Sequence, residues 1–224
     1  MLLIVERWEA ICKNIERLQA SSVTARRATM IAVSKGQPVE AIVSLLDAGQ
    51  RDFGENRVSE ALLKWPALKE RYPDIRLHLI GQLQTNKVKD ALSLFDVIHT
   101  VDRESLADVL VKTRSRECGT ALKFFIQVNT GEESQKGGVR PDALPGLMQY
   151  TQPLLSITGL MCIPPAGDPP APHFALLRTL AEKYNLSHLS MGMSGDYETA
   201  LRLGATHVRI GTAIFGERNP KAEI

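Results

Sequence analysis

Short apolar runs and amphipathic stretches take turns along almost the whole chain, and few folds satisfy such a rhythm. Eight segments read as strands, at residues 30–34, 52–54, 77–81, 97–100, 123–129, 157–162, 188–190 and 207–210. Helical patterns fall between or after them at 39–48, 58–71, 85–92, 104–116, 144–150, 171–184 and 197–203. Ahead of the first strand, Ile4, Trp8, Ile11, Ile15 and Leu18 recur in steps of three and four, which is one face of a further helix. Residues 20–24 then read as a loop. Strands that alternate with helices imply a parallel sheet covered by helices. Spread over eight units, 224 residues leave 28 per unit, close to a minimal strand–helix module. The expected fold is therefore α/β, a (β/α)8 or TIM barrel with an extra N-terminal helix, filling residues 1–224 as a single domain. A doubly wound open sheet is the competing arrangement. TIM barrels typically run to about 250 residues, so little chain remains for a second domain.

Local signals agree with this order. Pro38 suits the first turn of its helix, Asp102 suits an N-cap, and Gly49 and Gly204 follow helical runs where a C-terminal glycine belongs. The proline-rich insert at 164–172 reads as a loop peripheral to the barrel. A composition of 44% apolar and 23% charged residues argues against wholesale disorder. A net charge of +2 gives no footprint for nucleic acid. No apolar run reaches 18 residues, so no membrane-spanning helix is expected, and Glu6 and Arg7 bring charge too early for a secretory signal. Cys12, Cys118 and Cys162 are widely spaced and form no metal-ligand pattern. They read as free thiols in a reducing cytoplasm, with no structural metal.

A barrel of this kind carries its chemistry at the carboxyl ends of its strands. The first strand runs Ile31-Ala32-Val33-Ser34 into Lys35. A partly desolvated lysine at the mouth is a nucleophilic amine able to form a Schiff base, although alone the residue also reads as a strand end facing water. Asn56 can donate and accept and Arg57 can pair with an anion, or both simply start a helix. His78 sits inside an apolar strand, as a satisfied core histidine or a ligand contact, and Gly81 permits close backbone approach. Residues 132–138 read as a flexible surface loop. The small residues from Ser190 to Gly195 lead into a helix and offer backbone N–H groups to a phosphate, with Ser194 adding its hydroxyl. The same stretch also reads as an N-cap with Asp196 and Glu198 facing the helix dipole. Arg209 alternates with Val208 and Ile210, so it points into the barrel, where it needs an acceptor. Gly211 and Thr212 form a second small-residue turn, and phosphate sites in barrels are frequently built after strands seven and eight. An aldehyde for the lysine, a phosphate for the two turns and a ring acceptor for the arginine occur together in pyridoxal 5′-phosphate.

Five segments also resemble a known family, in order and spanning 30–216. They are Ile31-Ala32-Val33-Ser34-Lys35, Phe53-Gly54-Glu55-Asn56-Arg57, His78-Leu79-Ile80-Gly81-Gln82-Leu83-Gln84-Thr85-Asn86-Lys87, Ser190-Met191-Gly192-Met193-Ser194 and Val208-Arg209-Ile210-Gly211-Thr212-Ala213-Ile214-Phe215-Gly216. These motifs resemble the pyridoxal phosphate homeostasis protein family, which is similar to the barrel domain of alanine racemase without that enzyme's second, β-rich domain. The resemblance implies that Lys35 carries the cofactor as an internal aldimine. It implies that Ser194, Gly211 and Thr212 hold the phosphate, that Arg209 faces the pyridine nitrogen, and that Asn56, His78 and Met191 line the ring. Gly195 departs from the motif, where a polar residue is expected, with little bearing on phosphate binding.

Binding the cofactor does not make an enzyme. Racemisation needs a base on each face, and in alanine racemases the second is a tyrosine brought by the second domain of a partner subunit. Tyr72, Tyr150, Tyr184 and Tyr197 all lie away from the strand ends read here. An arginine opposite the pyridine nitrogen disfavours its protonation and weakens carbanion chemistry. The reading is therefore a carrier of pyridoxal 5′-phosphate in intracellular vitamin B6 homeostasis, with no catalytic residue and no metal. The alternatives are a pyridoxal phosphate-dependent amino-acid racemase or decarboxylase, and a Schiff-base aldolase whose turns take a sugar phosphate. Candidate partners are other B6 vitamers and pyridoxal phosphate-dependent apoenzymes, with no nucleic acid and no membrane, and a monomer is expected.

Overall fold

The computed structural model describes residues 2–20, 27–117 and 122–217. Cys118 and the loop at 21–24 lie outside them, while Cys12 and Cys162 are free thiols. Eight strands follow the rhythm of the sequence: β1 (Thr29–Val33), β2 (Asp52–Glu55), β3 (Arg76–Leu79), β4 (Val97–Val101), β5 (Lys123–Gln127), β6 (Ile157–Met161), β7 (His188–Met193) and β8 (His207–Ile210). Neighbours in the chain pair in parallel, and β8 closes on β1 with His207 opposite Thr29 and Arg209 opposite Ile31. The expected TIM barrel is thus present, and the open sheet is excluded.

Helix α1 (Leu2–Ala20) precedes the barrel. After successive strands come α2 (Val39–Asp47), α3 (Val58–Arg71), α4 (Val88–Leu94), α5 (Glu104–Glu117), α6 (Leu144–Thr151), α7 (Pro170–Lys183), α8 (Tyr197–Arg202) and α9 (Thr212–Phe215). A 3-10 turn, Thr85–Lys87, leads into α4, where one continuous helix was expected. Asp102 is not the cap of α5: it lies two residues ahead of Glu104 and its carboxylate pairs with Arg103 at 2.5 Å. Gly49 and Gly204 do end α2 and α8, with φ of 103° and 94° that suit a residue without Cβ.

Two apolar layers follow from the alternation of each strand. Met30, Ala32, Phe53, Leu77, Leu79, Ile98, Phe124, Ile126, Leu160 and Val208 face out and pack under the helices. Val97, Phe125 and Met161 form a separate cluster inside the barrel. Since α9 has only four residues, the ring of helices would be open beside β8 and β1. Helix α1 fills that place. It buries Ile11 and Ile15 and packs against α2, α8 and α9. Polar contacts fasten it: Trp8 Nε1 donates to Gln50 Oε1 at 2.9 Å, and Asn14 Nδ2 donates to the Tyr197 hydroxyl and to Glu198, each at 2.7 Å. Among the described residues no helix is long and apolar enough to cross a membrane.

Candidate functional site

The carboxyl end of β1 delivers Lys35. Ile31 reaches the inside of the barrel, where a Cβ on Gly54 would stand 2.9 Å from its side chain. Alternation carries the inward positions on through Val33 to Lys35, which is half-buried at the mouth. The turn that bears it is fastened to α3. Lys64 Nζ donates to the Ser34 carbonyl at 3.0 Å, and the Gly36 N–H donates to Glu60 Oε1 at 2.6 Å, with Gly36 at a φ of 68°. Beneath the turn, Glu55 Oε1 accepts from Ser34 Oγ at 2.7 Å and Trp65 Nε1 at 3.1 Å and pairs with Lys64 at 2.7 Å. Burial pushes the Glu55 carboxyl up, and Lys64 only partly opposes it. Burial also works to raise Glu60, but hydrogen bonds from Lys64 and the Gly36 N–H hold that carboxyl below its ordinary value.

Asn56 follows inward-facing Gly54 by two residues and is half-buried at the same mouth. Its backbone touches the β3 loop so closely that a Cβ on Gly81 would lie 2.2 Å from the Asn56 carbonyl oxygen. Backbone cannot give way as a side-chain tip can. Gly81→Ala is therefore expected to lower stability by about 1–3 kcal/mol and to displace Asn56. A urea midpoint equal to that of the parent protein would refute the close packing.

The ends of β7 and β8 supply a cradle. Ser194 Oγ accepts from the N–H groups of Gly211 and Ala213 at 3.3 and 3.2 Å, so both turns converge on one hydroxyl. Thr212 opens α9 beside them and is exposed. The two acids nearby are engaged elsewhere. Asp196 accepts from the Met193 N–H at 2.6 Å, and Glu198 accepts from Asn14 on α1. Arg209 lies inside the barrel, 3% exposed. Its Nη1 donates to Ser190 Oγ at 2.7 Å and its Nη2 to the Cys162 carbonyl at 2.9 Å. Among the described residues no carboxylate is within ion-pair distance of it. Burial lowers the guanidinium from its ordinary range, and burial likewise pushes the Cys162 thiol up to about 12.

Lys35, Asn56, Ser194, Arg209, Gly211 and Thr212 thus stand at or just below one mouth, while two expected ring contacts do not. Met191 follows inward-facing Ser190 by one residue, so it faces out and is fully buried in the layer under the helices. His78 is inside the barrel but one layer lower, two residues before Ile80, and its ring is spent on Asp52 and His99 at 3.0 Å each. His99 and Ser190, which back Arg209, and Glu60 and Lys64, which hold the lysine turn, are the residues the sequence reading passed over. Inward register within β4 and β7 was the signal for the first two.

Two expectations about loops also change. Residues 132–138 are on the surface but tied down: Asn129 Nδ2 donates to the Glu133 carbonyl at 2.8 Å, and Gln127 Nε2 to the Gly137 carbonyl at 3.0 Å. The proline-rich stretch is not peripheral. It leaves the carboxyl end of β6, and Pro165 lies where a Cβ on Gly131 would come within 2.2 Å, so it forms part of the rim. The tyrosines stay on the helical side. Tyr72 and Tyr150 bind Asp47 and Asp108, Tyr197 binds Asn14, and Lys183 lies over the Tyr184 ring. A cavity of about 420 Å³ on the outer side, lined by Arg178, Glu182 and Asn185 near α7 and α8, contains none of the strand-end residues and lacks their chemistry. Among the described residues no three His, Cys, Asp or Glu side chains are grouped to hold a metal ion.

Known proteins share this sequence and this geometry. Residues 7–219 match the family described as alanine racemase, N-terminal domain. A pyridoxal phosphate homeostasis protein of Aquifex aeolicus is 43% identical over 225 residues, covering 94% of this chain and 97% of that protein. A protein of the same description from Vibrio cholerae is 43% identical over 232 residues, covering 98% of each. The structure of PipY from Synechococcus elongatus with PLP bound superposes with a TM-score of 0.78 at 37% identity, covering 95% of this chain and 100% of that one. By family model and by full-length relatives alike, this chain belongs to the pyridoxal phosphate homeostasis proteins, within the alanine racemase N-terminal domain family.

Proposed function

We propose that this chain is a carrier of pyridoxal 5′-phosphate in vitamin B6 homeostasis, holding the cofactor covalently through Lys35 as a Schiff base without turning over amino acids. The observation that carries the reading is Arg209. It is a buried guanidinium with two neutral acceptors and no carboxylate partner, so it has N–H groups to spare for a ligand. A pyridine nitrogen is such an acceptor, and the Ser194 cradle beside it suits a phosphate. When bound, the cofactor supplies an aldehyde carbon for the amine and an electron-poor ring. Lys35 provides the amine, Asn56 lines the ring, and Ser194, Gly211 and Thr212 hold the phosphate. Arg209 keeps the ring nitrogen unprotonated, because a cation there opposes a second positive charge.

The relatives' description and the PLP-bound PipY structure support the ligand. The placement of Tyr150 and Tyr197 on helices and of Tyr72 and Tyr184 directly after α3 and α7 supports custody over racemisation, since none of these phenols stands at the carboxyl end of a strand. The reading includes a monomer, a cytoplasmic location that suits the free thiols of Cys12 and Cys162, and other vitamers and cofactor-requiring apoenzymes as partners. Protein mixed with pyridoxal 5′-phosphate is expected to show a visible absorption band that Lys35→Ala abolishes. Amino acids with exchangeable α-protons are expected to keep their configuration over hours with the loaded protein. Steady racemisation of any of them would overturn the carrier reading, and a band that survives Lys35→Ala would overturn the attachment.

A further inference from the structure

Arg209 is backed by a line of buried polar groups. Ser190 Oγ, which accepts from Arg209 Nη1 at 2.7 Å, lies 2.9 Å from His99 Nδ1. His99 Nε2 lies 3.0 Å from His78 Nδ1, and His78 Nε2 lies 3.0 Å from Asp52 Oδ1. The line crosses the inside of the barrel from β8 through β7, β4 and β3 to β2. It ends at the opposite mouth, in a small cavity of about 60 Å³ lined by first residues of the strands, among them Asp52, Arg76, Lys123 and His207. There Arg76 Nη2 donates to the other Asp52 oxygen at 2.5 Å.

The two ends decide the order of protons. A guanidinium only donates and an ionised carboxylate only accepts. Ser190 already accepts from Arg209, so its own proton goes to His99 Nδ1. His99 then carries its proton on Nε2 and donates to His78 Nδ1, and His78 carries its proton on Nε2 and donates to Asp52. The reverse order would send two donors to Ser190 Oγ and leave the Ser190 hydroxyl without an acceptor among the described residues, an unfavourable state for a buried group.

We infer that Asp52, His78, His99 and Ser190 form a one-way hydrogen-bond relay that fixes how Arg209 presents its remaining N–H groups to the ligand ring. Asp52 is then a positioning residue for a site at the far mouth of the barrel. The inference rests on the ring position given to Arg209 above. Reversal of the relay would make His99 compete with Arg209 for Ser190 Oγ, and the guanidinium would turn.

The relay itself can be read without cofactor. Nitrogen-15 NMR of the ligand-free protein is expected to find the proton on Nε2 of both His78 and His99. In Asp52→Asn, Arg76 claims the amide oxygen, so the amide nitrogen faces His78 Nε2 and both rings are expected to switch to Nδ1. With pyridoxal 5′-phosphate loaded, the same variant is expected to shift the absorption maximum and to speed release about fivefold, the scale of one hydrogen bond. Asp52→Glu is expected to restore both. Ser190→Ala cuts the relay next to Arg209, so adding Asp52→Asn to it is expected to change the bound cofactor no further. If Asp52→Asn does not fold, Ser190→Ala alone is expected to give the same shift and faster release while His78 keeps its tautomer. The inference is overturned if the rings do not switch, if they switch and the bound cofactor is unmoved, if Asp52→Asn acts undiminished in the Ser190→Ala background, or if Ser190→Ala leaves absorption and release as in the parent. A parent protein with no Lys35-dependent band sinks the carrier reading instead, and the ligand-free NMR still decides the relay.

Discussion

Taking the pH from 7 to 5 is expected to remove about 2–4 kcal/mol of folding stability from the ligand-free protein, read as a falling urea midpoint. The cause is the histidine-lined interior. Burial holds His99 well below the ordinary histidine range, and His78, His207 and Arg209 push it the same way. Burial, then His78 and His188, bring His207 down to about 3. The unfolded chain takes up protons at both positions near pH 6.5, while the folded chain does not. Their stabilisation is therefore complete above about pH 6.5 and drains away as the pH falls, for His207 toward about 3, each group contributing up to about 1.4 kcal/mol per pH unit. The lower figure allows for the edge of His207 that solvent reaches and for Glu55, whose raised carboxyl favours the fold as it protonates. Asp52 adds to the loss only in stronger acid. Burial opposes its ionisation, but the hydrogen bond and charge of His78 and then Arg76 outweigh it, and the carboxyl sits below its ordinary value. His207→Gln is expected to flatten the slope between pH 6.5 and 5. A midpoint that does not move over that interval would show that these rings are hydrated in solution.

Lys64→Met is expected to destabilise the protein by about 3–5 kcal/mol, the range for stranding one member of a buried ion pair. Glu55 has no exposed surface and Lys64 very little, and their separation is 2.7 Å. Among the described residues Glu55 Oε2 has no hydrogen-bond partner, so the carboxylate already depends on the ammonium beside its other oxygen. Loss of Lys64 also unties the Ser34 carbonyl, and with it the turn that presents Lys35. Cofactor loading is expected to weaken together with the denaturant midpoint. Glu55→Gln added to Lys64→Met is expected to recover most of the stability but not the loading, because the amide removes the stranded charge and leaves the turn loose. A single Lys64→Met variant with a parental midpoint would mean that the pair contributes nothing.

Much of this was legible from residue order. Eight apolar runs bounded by turn residues fix strand count, and their spacing leaves room only for helices between them. Lys35 was legible because it directly follows a run of apolar and small residues at a strand end, Arg209 because an alternating strand shows which residues face inward, and Ser194 and Gly211 because small residues before a helix expose N–H groups. Depth inside the barrel was not legible. His78 and Lys35 both face inward, but only the register of β3 against β2, with His78 opposite Gly54, places the imidazole one layer below the mouth. Met191 came from the resemblance and not from strand alternation, and β7, which runs on to Met193, places it one residue after inward-facing Ser190, in the outer layer. The place of α1 in the ring could not be read from α1 itself, since it depends on α9 stopping after four residues. The rim role of Pro165 depends on a contact with Gly131, 34 positions earlier, for which neither segment carries a local sign.

The seam between β8 and β1 bears on how a ribosome makes this protein. Ile31 pairs opposite Arg209, and α1 packs on α9, so segments synthesised early wait for segments synthesised late. Contacts of such long range form slowly and leave β1 with an unpaired edge meanwhile, a stretch that chaperones would recognise. A truncated nascent chain ending before β8 would present the amine of Lys35 yet lack Arg209, Gly211 and Thr212, and so could meet an aldehyde without gripping it. On the proposed site, retention of the vitamin would then begin only when translation has passed β8 and the turn after it.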